Sequence, residues 1–120
     1  MMDDEEVLRY AYAAFNARNV DAALATMHPD VDWPNGMEGG RVIGRQAVRE
    51  YWTGQWTLID PHVEPLSFAR EPDGRIAVEV RQVVRDTGGA LLVDQRVWHV
   101  YRIEDGLVRE MEIRDAPAGY

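Results

Sequence analysis

The chain has 120 residues, enough for one domain on a single core, and its apolar and charged fractions are those of an ordinary globular protein. Its 21 acidic residues outnumber 13 scattered basic ones, all arginine, and a formal charge of −8 argues against nucleic-acid binding, which needs clustered cations to neutralise phosphates. Cysteine is absent, which excludes a disulfide framework, a thiolate metal site and a cysteine nucleophile.

The N-terminus, MMDDEEV, is acidic where a secretory signal is basic, and no apolar run approaches membrane-spanning length. The expectation is a cytoplasmic protein with no membrane association. Residues 3 to 18 read as an amphipathic helix. Asp3 and Glu6 make a capping-box-like start, and Val7, Leu8, Ala11, Ala14 and Phe15 fall on one stripe. A short second helix is expected over residues 20 to 27, closed by Pro29 because the residue before a proline leaves helical conformation. Val31-Asp32-Trp33 then reads as a short strand ending at Pro34-Asn35-Gly36. Residues 38 to 44 read as a glycine-rich loop without the lysine and spacing of a phosphate cradle. Residues 45 to 56 predict a third helix, with Ala47, Val48, Tyr51, Trp52 and Gln55 along one side.

From Pro61 onward the period becomes two. Strands are predicted near 62–70, 75–86, 91–104 and 107–115. Pro72-Asp73-Gly74, Gly88-Gly89 and Glu104-Asp105-Gly106 separate them, turn residues that accept positive φ at little cost. Helices followed by a strand meander form an α+β pattern, with the helices on one face of an antiparallel sheet.

The last hairpin carries His99, a lone imidazole in an apolar-rich strand. On the final strand Leu107, Met111 and Ile113 are apolar while Glu110, Glu112 and Arg114 are not, so odd positions are expected to face inward. A three-residue turn, with Gly106 left-handed, would pair Ile103 with Leu107, His99 with Met111 and Gln95 with Asp115. It would turn His99, Val97 and Tyr101 inward and Trp98 and Val100 outward. A two-residue turn would set His99 against Glu112 and out of any pocket. The first is preferred because it groups Val97, Tyr101 and Ile103 with Met111 and Ile113. On the preceding strand Val78, Val80 and Gln82 share the inward parity. Asp115 would lie about 13 Å beyond Met111 at roughly 3.3 Å per residue, lining the same cavity as His99 without touching it.

Three helices, the strand Pro-Asp-Val-Asp-Trp (29–33), a four-strand meander and a late aspartate together resemble the SnoaL-like branch of the nuclear-transport-factor-like superfamily. The most family-like pieces are Val20-Asp21-Ala22-Ala23-Leu24 through Trp33, Gly44-Arg45-Gln46-Ala47-Val48, and Asp105-Gly106-Leu107-Val108. The resemblance covers nearly the whole chain and implies a single SnoaL-like domain over 1–120. Its expected form is a curved antiparallel sheet packed against three N-terminal helices, a cone with an internal cavity, often a homodimer through the outer sheet face. Isomerases, dehydratases, polyketide cyclases and non-enzymatic binding modules share this fold, so it does not name a reaction. A distant relative, ketosteroid isomerase, needs a carboxylate base near the end of the first strand and two acids that hydrogen-bond the enolate oxygen. The resemblance puts the base position on Trp33, the tyrosine donor on Ala11 with Tyr10 and Tyr12 pointing elsewhere, and the protonated acid on His99. None of the three required groups is retained.

Two readings stand. In the first, a cofactor-independent enzyme acts by proton transfer on a small, largely apolar molecule. His99 is its acid or base, since imidazole titrates near neutrality, and Asp32 or Asp115 gives support. Its substrate-binding walls are expected from Trp33, Tyr12, Phe15, Tyr51 and Trp52, with Val80, Gln82, Val97, Tyr101, Met111 and Ile113 from the sheet. In the second, the same fold binds a hydrophobic ligand or dimerises without catalysis. The three histidines are isolated, with neither HxH nor HExxH, so no metal site is expected. The outward set Val83, Trp98, Val100 and Val108, interleaved with arginine and glutamate, predicts a homodimer interface.

Overall fold

A computed structural model describes residues 2–115, Asp115 by its backbone alone. Three helices, α1 (Asp4–Asn16), α2 (Val20–Leu24) and α3 (Arg45–Leu58), accompany six strands. These are β1 (Met27–Pro34), β2 (Arg41–Ile43), β3 (Ile59–Arg70), β4 (Ile76–Asp86), β5 (Leu91–Glu104) and β6 (Leu107–Asp115). They form one curved sheet in the order β2-β1-β6-β5-β4-β3, an α+β architecture with the helices on its inner face.

Local signals set most of these boundaries. Asp3 caps α1 by accepting from the Glu6 N–H at 2.9 Å while Glu6 accepts from the Asp3 N–H, the capping box read from the sequence. Helix α2, however, stops at Leu24, and β1 begins two residues before Pro29. Pairing with β6 is the reason. Met27 lies parallel to Val108, and the Thr26 carbonyl accepts from the Val108 N–H at 2.8 Å, so the sheet takes residues the helix would have used. The stretch read as loop holds β2, which pairs antiparallel with β1 through Asp32–Ile43, Trp33–Val42 and Pro34–Arg41. Three residues between glycines are too few to display a period.

The β5–β6 hairpin departs from the expected turn. Asp105 and Gly106 both have positive φ, 53° and 76°, and Glu104 pairs with Leu107, a two-residue type I′ loop. Alone, that turn would point His99 away from the helices. A β-bulge undoes the flip: Ile103 pairs with Val108 and Arg102 with Glu110, leaving Arg109 as the extra residue. Beyond it Tyr101 pairs with Met111 and His99 with Ile113, two positions past the expected partner, and Val97 replaces Gln95 opposite Asp115. The bulge also switches which residues of β6 face the core. Val108, expected outward, is 1% exposed and belongs to the main core with Met111.

That core runs from Leu8, Tyr12 and Val48 on the helices to Val31, Val78, Val80, Val97 and Tyr101 on the sheet. On the outer face Val100 is also buried, beside Ala77 and Glu112, and Glu112 pairs with Arg75 at 3.2 Å. Among the described residues no helix is long and apolar enough to cross a membrane.

Strand β3 contains Pro61 and Pro65, and α1 is tied to it between them. The Asn16 amide donates to the Val63 carbonyl at 2.7 Å, and the Val63 N–H donates to Asn16 Oδ1 at 3.0 Å. Asn16→Ala leaves both backbone groups without a protein partner and is expected to lower stability by about 2 kcal/mol in urea unfolding, as for unsatisfied buried polar groups. An unchanged midpoint would show that water replaces the amide.

Candidate functional site

Between the helices and the inner face of the sheet lies a small recess, open to solvent on one side. Helix α1 brings Tyr12 and Phe15 to it because they lie on its buried stripe, and α3 brings Tyr51, Trp52 and Gln55 in the same way. Trp33 enters from β1, and His99 and Tyr101, two apart on β5, enter on one face of the sheet. Met111 and Ile113 follow from β6 and Gln82 from β4. Among the described residues no Asp, Glu or Arg side chain is in the lining.

One wall is a stack of aromatic edges. Trp52 meets Trp33 edge-on at 5.6 Å between ring centroids and Phe15 at 5.1 Å, while Tyr101 lies 6.4 Å from Trp33. Farther out, the Tyr51 hydroxyl accepts from the Gly36 N–H at 3.1 Å, and Gln82 Oε1 accepts from Gln95 Nε2 at 2.9 Å.

Against the aromatic wall stands a chain of three polar groups. The Tyr12 hydroxyl is 2.8 Å from His99 Nδ1, and the Tyr101 hydroxyl is 2.7 Å from that of Tyr12. All three residues are buried, His99 at 7% exposure. The rings of Tyr12 and His99 are nearly parallel, 12° apart. Among the described residues His99 Nε2 has no hydrogen-bond partner, yet the buried side-chain nitrogen left unpaired is that of Trp56, so Nε2 opens onto the recess. The distances fit either direction of donation. With Tyr101 donating to Tyr12 and Tyr12 to Nδ1, the imidazole proton sits on Nε2; with Nδ1–H donating to Tyr12, Tyr12 donates to Tyr101.

Several expected residues take other places. Asp32 points away from the recess because it alternates with Trp33 along β1, and its carboxylate accepts from Arg41 Nε at 2.7 Å. The missed strand β2 supplies that arginine. Val80 and Val97, paired across β4 and β5, are shut into the packed core and do not line the recess. The Asp115 side chain lies outside the described residues. Tyr12, which the resemblance to ketosteroid isomerase pointed elsewhere, faces His99.

Other lining residues were not foreseen. Pro61 lies ahead of the predicted strand because β3 starts earlier, Val63 falls within that strand with nothing to mark it as lining, and Val108 is turned inward by the bulge. Tyr12 did carry a signal: a buried tyrosine needs a partner for its hydroxyl. Among the described residues no group of three or more His, Asp or Glu side chains is arranged to hold a metal ion.

Burial raises the pKa of Tyr12 and Tyr101 above the ordinary phenol value, so both hydroxyls keep their protons. Burial also lowers the His99 pKa from 6.5 to about 4. Between those two pH values the unfolded chain binds the proton and the folded one does not, so stability falls as pH falls. The neutral imidazole's contribution is complete above pH 6.5 and is lost on the way down to about 4, a change of about 3 kcal/mol. His99→Gln is expected to flatten this part of the pH dependence in urea unfolding between pH 7 and 4. Parallel curves for the two proteins would rule it out.

The family model for SnoaL-like domains matches residues 8–111. An NTF2-like protein of unknown function from Burkholderia pseudomallei has a similar structure, with TM-score 0.82 and 28% identity over 97% of this chain and 92% of its own. TerC, crystallised with polyporic acid, gives a TM-score of 0.81 and 27% identity over 94% of this chain and 91% of its own. RV0760c from Mycobacterium tuberculosis, in complex with an estradiol hemisuccinate, shares the fold at TM-score 0.77 and 19% identity, covering 89% and 88%. No curated protein matches the chain. With a curved sheet roofed by helices and a family match over most of its length, the chain belongs to the SnoaL-like domain family.

Proposed function

We propose that the protein binds a small, uncharged, largely apolar molecule in this recess and moves a proton on it without a cofactor, with His99 as the acid or base. One observation carries the reading: a buried imidazole, held through Nδ1 by Tyr12, with Nε2 open to an aromatic recess. The lack of charged side chains among the described lining residues disfavours an ionised ligand, which would lose its hydration with none of them to pair it. Aromatic walls suit a flat apolar one. His99 is neutral at pH 7, so in the tautomer with its proton on Nδ1 the bare Nε2 can take a proton directly. The similarity to TerC, crystallised with polyporic acid, supports an organic occupant. Isomerisation, cyclisation and dehydration all fall within this chemistry.

Among the described residues no carboxylate base lines the recess, and that favours a second reading, a ligand-binding module without catalysis. β-Tetralone, an uncharged two-ring ketone with acidic α protons, separates the two. It is expected to quench tryptophan emission saturably, with Trp33→Ala weakening binding about tenfold, the scale of a lost aromatic anchor. Exchange of its α protons into heavy water, followed by NMR, is expected to fall about a hundredfold in His99→Ala, within the usual range for a lost acid–base group. Binding with an exchange rate indifferent to His99→Ala would decide for the binding module.

The same reading includes a homodimer through the outer face of β4 and β5. It is supported by the half-buried Val83 and Trp98, which alternate there with the ion pairs Arg81–Asp94 and Arg96–Glu79, whereas Val100, expected in the same set, is already covered within the protomer. Trp98→Arg is expected to shift sedimentation from dimer towards monomer. A wild-type protein already sedimenting as a monomer would remove this part of the proposal.

A further inference from the structure

We propose that Tyr12 is the middle link of a reversible proton relay, Tyr101–Tyr12–His99, whose two ends act on the ligand while the relay stays uncharged. The inference rests on the reading of the recess as a proton-transfer site and adds to it a route and a class of substrate, an enolisable carbonyl compound.

The geometry has the parts a relay needs. Two short hydrogen bonds, 2.7 and 2.8 Å, join three groups that can each donate and accept. The terminal members, His99 and Tyr101, sit two apart on β5 and both line the recess. Tyr12 comes from another element, α1, and bridges them. Among the described residues no charged side chain lines the recess to stabilise an imidazolium or a phenolate. Burial acts the same way, holding His99 neutral and both phenols protonated. A base acting alone at His99 would have to carry the charge this site penalises. Passing the far-side proton onward removes that need.

The step balances in atoms and charge. Before reaction Nδ1–H donates to Tyr12, Tyr12 donates to Tyr101, and the Tyr101 O–H donates to the ligand's carbonyl oxygen. The α C–H bond breaks and its proton joins Nε2. The electron pair of that bond becomes the new C=C bond, and the carbonyl π pair moves to oxygen, which takes the Tyr101 proton. Tyr101 takes the proton of Tyr12, and Tyr12 takes that of Nδ1. An enol and a neutral relay of opposite polarity remain. Nε2–H can now protonate a different carbon of a conjugated enol while the Tyr101 oxygen takes back the enol proton. The original polarity returns and the product is an isomer. Tyr12 is therefore a positioning and relay residue, with His99 and Tyr101 meeting the ligand.

The test has one arm without ligand and one with. In ligand-free wild type at pH 7, long-range ¹H–¹⁵N NMR is expected to give both His99 nitrogens shifts averaged between the protonated and bare values. In Tyr12→Phe they should separate to a protonated Nε2 and a bare Nδ1. With β-tetralone, Tyr12→Phe is expected to bind within about threefold of wild type while its α-proton exchange drops towards the rate of His99→Ala. A wild-type His99 fixed in one tautomer that Tyr12→Phe leaves unmoved, or a Tyr12→Phe protein that exchanges at the wild-type rate, overturns the relay but leaves His99 as the base. A wild-type protein that neither binds nor exchanges β-tetralone sinks the reading of the recess, and the relay with it.

Discussion

A single hydrogen bond between residues 87 apart in sequence, Tyr12 to His99, couples the helical layer to the sheet. Each of these groups is costly to bury alone, because an unpaired hydroxyl or imidazole in an apolar interior forfeits its water contacts. Together, with Tyr101, they satisfy each other and fix how α1 lies over β5. The rest of the site follows from that placement. The register of the last hairpin must turn His99 inward, the aromatic edges of Trp33, Trp52 and Phe15 must close the remaining wall, and no charge is left to solvate.

Much of the fold was legible because it is written in local chemistry. The capping box at Asp3, the stripe on α1, and the glycine turns after β3 and β4 each have a mechanism that acts over a few residues. What failed was what only pairing decides. Residues 26 and 27 look helical until β6 is there to take them, and Arg41 to Ile43 become a strand only beside β1. The inward parity of His99 was read correctly, but by a different route. A one-residue bulge at Arg109 compensates a turn one residue shorter than expected, and nothing in the alternation of β6 marks where such a bulge falls.

The candidate site divides in the same way. Types of residue could be read and the aromatic wall was anticipated, but partnerships could not. Asp32 is a reasonable acid until Arg41 claims it, and Tyr12, expected as a wall of the pocket, is also the hydrogen-bond partner of His99. The resemblance to ketosteroid isomerase puts a carboxylate where this chain has Trp33. An indole there removes the charge such a site would use and makes the recess more apolar, in keeping with neutral proton transfer.

The tie between Asn16 and β3 has a consequence beyond anchoring a helix. β3 ends the strand order, so one side of it has no neighbouring strand. Pro61, Val63 and Pro65 alternate along the strand so that their backbone groups face that side. The two prolines have no N–H, the Val63 N–H and carbonyl are held by Asn16, and the Pro61 carbonyl accepts from Arg18 at 2.7 Å. Between Pro61 and Pro65 an incoming strand from another molecule therefore finds no free amide to pair with. Over this half of β3 a helix side chain and two imino acids take the place of a seventh strand.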